Sequence, residues 1–353
     1  MRIAPKEIAI ADIEAFRIIH RVGSDYNKGL WYQAQVPSQY SDETSGVFNI
    51  LNNKAASHRR RLFQSAGTKK IVVEWEPQVM ELADLAVKKI KRDLQKYGSS
   101  DVLKWWTFMA SDVTGALAFG ESFNNILNEE RNRMVHDIEE SMPIIGLRTE
   151  LPWTKPIMDS IPRWVPGNVS SMLDRFDGYA RDAVRATRVA QQTNNKTLFS
   201  KMVLEEKTMQ VIPDSVIEKE AANVIVAGTD TTAMVLTYLT YTVLRHENIK
   251  RKLIEEIKSC TARPNWEELE SLTYLNNVIQ ETLRLYPAIP GSLPRIVPRG
   301  GEGVGKYVIP AGTQVSTQAW TFQRDPTVFK EPLRYVHTYI QSASLRLNLG
   351  VTD

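Results

Sequence analysis

The chain is poor in cysteine, with Cys260 alone among 353 residues. That excludes an internal disulfide framework and fits a reducing compartment. An unbroken apolar run of about 18 residues is also missing, so no segment reads as a bilayer span. The opening MRIAPKEIAIADIEAF lacks an apolar stretch long enough for a signal peptide. Charge of one sign is scarce: 44 basic against 41 acidic side chains leave +3, which gives no strong pull toward nucleic acid or acidic membranes. Repeats and low-complexity stretches are lacking too. What is present, 42% apolar and 24% charged residues, describes a globular protein, at a length that a large helical enzyme can reach as one domain.

The pattern along the chain predicts a mainly α body with a small β-sheet at one side. Two short strands flank Pro5, the second carrying the alternation Glu7 to Ile10. Asp12 suits the cap of a short helix with Ile13, Phe16 and Ile19 on its apolar side. A Gly, Ser, Tyr and Pro-rich loop follows, then a basic helix with His58 to Arg61. Pro77 suits the first turn of a long helix that ends at Gly98, and the run from Asp101 to Phe119 is apolar nearly all round, as in a fully buried helix. Between Met142 and Gly167 five prolines break any long helix while Trp153, Ile157, Ile161 and Trp164 keep the segment apolar. It reads either as a packed loop or as a lid or membrane-touching surface at a substrate entrance. Toward the end, Tyr307 to Val315 predicts a hairpin.

Three segments carry candidate chemistry. Asp214 is placed to cap a helix of roughly thirty residues, ~45 Å at about 1.5 Å per residue. Its middle, Ala227-Gly228-Thr229-Asp230-Thr231-Thr232-Ala233, is rich in poor helix formers. Such a weak spot marks either threonines that merely bond back to earlier carbonyls, or a place for ligand or water where Asp230 and Thr231 pass protons. Glu281 and Arg284 stand at i, i+3 on one helix face between apolar flanks, which suggests a partly buried pair. Last, Pro332-Leu333-Arg334-Tyr335 offers a turn with a spare arginine.

Taken in this order, AGTDTTA, ETLRLYPAIPGSLPRIVP, YVIPAGTQV and RDPTVFKEP resemble the cytochrome P-450 family, haem-thiolate monooxygenases, as do RIAPKEIAIAD, HRRRLF and DVTGALAFGESF nearer the start. The resemblance is to fungal, microsomal-type members. It implies a long helix over the haem, with Asp230 and Thr231 handling protons for bound oxygen and Gly228 at the kink that makes room for it. Glu281 and Arg284 would pair with Arg334 beside the haem. Arg295 would grip one haem propionate, since a guanidinium can hold a carboxylate through two bonds. Arg60 would contact the other, unless Arg59 to Arg61 are a solvated charge run. A pocket around Val113, Ile225 and Ala288 to Leu293 would be apolar. The cofactor implied is haem b, with NADPH electrons from a flavoprotein reductase. The reaction implied is hydroxylation or epoxidation of an apolar small molecule, which in fungi often serves secondary metabolism. The place implied is the cytosolic face of the endoplasmic reticulum membrane.

The chain departs from the family pattern in three places. The family's Glu before the arginine is Leu333 here, and the aromatic often found four positions before the propionate arginine is Ala56. After residue 335 the family continues to a glycine-rich loop whose cysteine thiolate ligates iron and pushes electron density toward the O–O bond. Residues 336–353 do not follow it. The expected organisation is therefore a partial domain over 1–335 with an aberrant tail, truncated at both ends. The membrane anchor and first helix would precede Met1, so a cytoplasmic location is the alternative. Cys260 follows a charged amphipathic helix, without the flanking glycines, and reads as an ordinary partly buried thiol. His337 as a replacement ligand has no support in the pattern. A polypeptide of this sequence is expected to be inactive; the alternative is a haem-free helical remnant or interaction fragment.

Overall fold

Asp12 and Asp101 each precede an apolar run, and both act as N-caps in the computed structural model: their carboxylates accept from Ala15 N at 2.7 Å and Lys104 N at 3.1 Å. The structure describes all residues except 36–40, 62–68, 163, 166–167, 193–196, 200–211, 305–306 and 337–353. The N-terminal part comprises β1 (Arg2–Ala4), β2 (Glu7–Ile10), α1 (Ile13–His20), β3 (Asn27–Lys28), a 3-10 helix (Leu30–Gln35) and α2 (Asn53–Arg61). The helical body follows as α3 (Lys69–Tyr97), α4 (Val102–Phe119), α5 (Asn125–Asn128), α6 (Arg133–Glu150), α7 (Thr154–Asp159) and α8 (Val169–Gln192). It continues with α9 (Asp214–Arg245), α10 (Glu247–Ile257), α11 (Trp266–Ser271) and α12 (Thr273–Leu285). The last elements are β4 (Arg295–Ile296), β5 (Glu302–Val304), β6 (Tyr307–Ile309), β7 (Gln314–Thr317) and α13 (Ala319–Phe322). The expected class, mainly α with a small sheet, is what forms.

The chain's two ends meet in one sheet of order β1-β2-β7-β4-β3. β2 runs parallel to β7, with Glu7 opposite Gln314 and Ile10 opposite Thr317. Their apolar face packs on α1 through Ile10, Ile19, Val297 and Val315. The expected hairpin over Tyr307 to Val315 does not form. β6 instead turns back on β5, pairing Val304 with Tyr307, and β7 leaves for the larger sheet. A turn at Gly312, with φ +78, separates the two strands, and the buried inner face of β7 gains more from the sheet than from a two-stranded ribbon.

Three helix boundaries also differ from expectation. Pro77 sits inside α3 rather than in its first turn, and Pro143 lies inside α6, which runs on to Glu150. Both prolines are exposed, as are Val73 and Glu139 four residues earlier, so water can take the carbonyls that proline leaves without a donor. Asp214 is the first helical residue of α9 behind Pro213 and makes no cap bond; it pairs with Arg188 at 2.5 Å.

At the centre, α4 and α9 cross in close contact, with α3 and α8 on their flanks. Twelve of the 18 residues of α4 are buried, which accounts for its apolar character all round. The largest core joins Phe119 on α4, Ile138 on α6, Phe176 and Ala180 on α8, and Ile217, Ala221 and Ile225 on α9. The crossing depends on Gly228. A methyl group there would meet Thr114 Oγ1 of α4 at 2.6 Å, and that hydroxyl is itself bonded to Ala110 O at 2.8 Å.

Gly228→Ala should therefore destabilise the protein by about 1–3 kcal/mol through overpacking, although alanine is the better helix former. In a Thr114→Ala background the same substitution should be neutral or stabilising. Urea denaturation of the four variants checks this, and equal effects in both backgrounds would refute the contact.

Candidate functional site

Glu281 and Arg284 on α12 are both buried, and a charge taken from water needs every lone pair and proton used. Here they are. The Arg284 Nε and Nη2 donate to the two Glu281 oxygens at 2.6 and 2.7 Å. Its remaining donors reach the carbonyls of Gln323 at 2.7 Å, Pro332 at 2.8 Å and Arg334 at 3.0 Å. Glu281 also accepts from Val336 N at 2.7 Å, and Tyr335 Oη donates to Val278 O at 2.6 Å. The pair thus ties residues 323–336 to α12. The expectation of a three-membered cluster with the Arg334 side chain is not met. Arg334 contributes its carbonyl, while its guanidinium is exposed and bonds Glu331, because Arg284 already fills the fork of Glu281.

The weak centre of α9 keeps an unbroken helix from Asp214 to Arg245. Thr231 Oγ1 donates back to Ala227 O at 2.6 Å, and Thr229 to Ile225 O at 2.9 Å. Asp230 does not meet the Thr231 hydroxyl in a hydrogen bond; burial raises its pKa, and Glu139 of α6 adds to the rise. Gly228 is turned to Thr114 of α4, so the space it leaves is filled by the neighbouring helix rather than by a kink. Ala227, Thr231, Met234, Tyr238 and Tyr241 recur at helical spacing as one stripe, most of it exposed. Tyr238 stacks on Tyr286 at 4.3 Å between ring centroids. Of the expected pocket lining, Val113 and Ala288 to Leu293 are half-buried or exposed, while Ile225 is fully buried in the core between helices.

A cluster of cations forms beside the sheet. Arg295 Nη1 reaches Tyr32 Oη at 2.6 Å and Pro294 O at 3.0 Å. Lys28 Nζ donates to the carbonyls of Val47 and Phe48 at 2.9 and 2.8 Å. Burial lowers the Lys28 pKa to about 8, and Arg295 and Arg60 both add to that shift. His20 is held neutral, at about 4, by burial and then by Arg295. Arg60 is exposed and has no bonded partner among the described residues. It is Arg59 that is built into the fold: it reaches the buried Glu220 of α9 at 3.1 Å, and Glu220 also accepts from Val47 N at 2.8 Å. Ala56, where an aromatic was looked for, is wholly buried. Lys28, His20, Tyr32 and Glu220 escaped sequence reasoning. An acidic residue in an apolar helix could have flagged Glu220; nothing local marks the others.

Between Glu150 and Asn168 Met158 packs against the core, but the larger apolar side chains around it face outward. Trp153 is 66% exposed, Ile157 59% and Trp164 83%. That exposure favours the surface reading of this segment over the packed loop.

The resemblance implies a porphyrin, whose requirements can be set against these residues. Its two carboxylates fit the cluster of Arg295, Lys28 and Arg60, where cations crowd with few anions to balance them. Its open side fits the bare stripe of α9. Its iron finds no evident ligand: the one thiol, Cys260, is half-buried in the turn after α10, its N–H on Ile257 O at 3.0 Å, without the glycine-rich loop that presents a thiolate in the family. His337 lies outside the described residues. No described helix is long and apolar enough to cross a membrane.

Comparison with known proteins agrees with the motifs. The sequence model described as Cytochrome P450 matches residues 2–338. The chain is 32% identical to the cytochrome P450 monooxygenase tazI of Aspergillus terreus, over 95% of this chain and 68% of that protein. It is likewise 32% identical to azaI of Aspergillus niger, over 95% and 71%. With stcB of Emericella nidulans the identity is 32% over 96% and 65%; all three are cytochrome P450 monooxygenases by name.

Because Arg284 leaves three carbonyls and a carboxylate unpaired if shortened, Arg284→Lys and Glu281→Gln should each cost about 3–5 kcal/mol of stability. Arg334→Ala, at an exposed pair, should cost under ~0.5 kcal/mol. Chemical denaturation ranks the three, and an Arg334→Ala loss as large as the others would restore the three-membered cluster.

Proposed function

The chain belongs to the cytochrome P450 family, and on that premise we propose that it carries the oxygen-side and substrate-side framework of a monooxygenase acting on an apolar small molecule. The observations that support this best are the bare stripe of α9 around Thr231 and a cation cluster suited to the haem carboxylates. Arg295, Lys28 and Arg60 would hold those carboxylates. Haem supplies oxygen activation when a thiolate holds its iron, and electrons would come from NADPH through a flavoprotein reductase. Thr231 and Asp230 are the candidates for proton handling. To donate elsewhere, the Thr231 hydroxyl must first leave Ala227 O. Asp230, with a raised pKa, is suited to keep a proton longer than an exposed carboxylate would.

A second reading concerns the polypeptide of this sequence taken alone, and Cys260 favours it. With its one thiol in the turn after α10 and not in a glycine-rich loop, such a polypeptide presents no thiolate to the iron. It would then be a non-catalytic helical protein that keeps the family's fold over roughly residues 1–335.

Two measurements test these readings. Expressed with haem supplied, the 353-residue polypeptide should give no red-shifted Soret band of a thiolate-ligated ferrous–carbon monoxide complex. Appearance of that band would overturn the second reading. The exposed aromatics suggest that the segment around α7 lies against a lipid surface, as expected at the face of the endoplasmic reticulum. Trp153→Ser combined with Trp164→Ser should then lower co-sedimentation with phosphatidylcholine vesicles severalfold; unchanged binding would remove the membrane from the account.

A further inference from the structure

Lys28 and Arg295 face each other as partners in the antiparallel pair of β3 and β4. Like charges directly opposite across such a pair repel and cost stability. Both also lie beside one ring: Lys28 Nζ is 5.1 Å from the Tyr32 centroid, and the Arg295 guanidinium carbon 5.3 Å. The anions that act on Lys28 are Asp42 and Glu220, and both are already engaged. Asp42 accepts from Leu51 N at 2.7 Å and Asn52 N at 3.0 Å. Glu220 serves Val47 N at 2.8 Å and Arg59 at 3.1 Å. The facing cations are thus left with repulsion that no side chain of the fold is free to offset.

Both keep donors to spare, and both are only half-buried, so solvent reaches them. Lys28 spends two of its three ammonium protons on the carbonyls of Val47 and Phe48. Every hydrogen bond that Arg295 makes to the described residues comes from Nη1. Its Nε and Nη2 edge matches the two oxygens of a carboxylate. We propose that Lys28 and Arg295 act together as a clamp for one carboxylate group, with the exposed Arg60 dispensable. This rests on the haem-carboxylate reading above and divides its work among the three cations. The clamp depends on pH through Lys28. Burial first, then Arg295 and Arg60, lower its pKa to about 8, while Asp42 and Glu220 oppose the fall. A bound anion favours the charged ammonium, so the hold is full below about 8 and weakens as the pH rises past it.

The test uses metal-free protoporphyrin IX, a dicarboxylic acid, and its dimethyl ester, titrated into the full polypeptide and followed by porphyrin fluorescence. At neutral pH the acid should bind about tenfold or more tightly than the ester. That preference should shrink severalfold by about pH 9.5, as Lys28 gives up its proton. Lys28→Arg should keep the preference and lose its pH dependence, because a guanidinium stays charged throughout. Lys28→Met should show a weak preference at every pH, and Arg60→Ala should change it by less than about twofold. The clamp is overturned if Lys28→Arg retains the wild-type pH profile, or if Arg60→Ala loses as much as Lys28→Met. An acid preference that vanishes in Arg295→Met but survives in Lys28→Met would sink the clamp and leave the haem-carboxylate reading standing. If the two porphyrins bind equally, or neither binds, that reading falls together with the inference.

Discussion

The ion pair of Glu281 and Arg284 organises residues 323–336. Two charges with almost no exposure are tolerable only because each finds several partners. Those partners are backbone groups from residues 323–336, a stretch with little regular structure of its own. A segment rich in turns leaves some of its carbonyls without a backbone donor; here a side-chain fork serves those of Gln323, Pro332 and Arg334. The pair also fixes where Tyr335 enters the apolar cluster of Ile249, Leu253 and Val278. A short i, i+3 motif on one helix therefore acts as a clamp on a remote part of the chain.

The central helix has two sides with opposite demands. One is packed so closely on α4 that position 228 has no room for a methyl group. The other carries Met234, Tyr238 and Tyr241 to the surface. Exposing apolar surface costs free energy, so a stripe of this kind on the longest helix fits a role in holding something against it. The threonines reconcile the two sides locally. Their hydroxyls bond back to the helix and leave the ladder intact, so the run of poor helix formers weakens the helix without breaking it.

Cations are treated in three ways. Arg284 is buried and Arg59 half-buried, each with partners, while Arg334 and Arg60 are left in water. Lys28 lies between these limits, drawn partly out of water so that its pKa falls to about 8. Incomplete compensation costs stability, and such costs concentrate where a protein binds something. Arg295, whose charge helps lower Lys28, is tied to the 3-10 helix through Tyr32.

Local pattern was sufficient for most helices. Asp12 announced its cap, the uniform apolarity of α4 announced its burial, and the order of three motifs identified the family. These succeed because capping and periodicity depend on residues a few positions apart. Where proline was judged by position alone, in α3 and α6, the reading failed, since exposure of the preceding turn decides whether the lost bond matters. The pairing of β7 with β2, some three hundred residues away, was invisible for the same reason: strand partners are chosen by which buried face is completed, not by proximity in the chain. The amino-acid sequence by itself thus determined the helical class, the family and the pairing of Glu281 with Arg284. Only the tertiary structure decided that Arg334 stays in water, that Gly228 serves α4, and that Arg59 rather than Arg60 reaches Glu220, because burial and partner supply are properties of packed elements and not of any one of them.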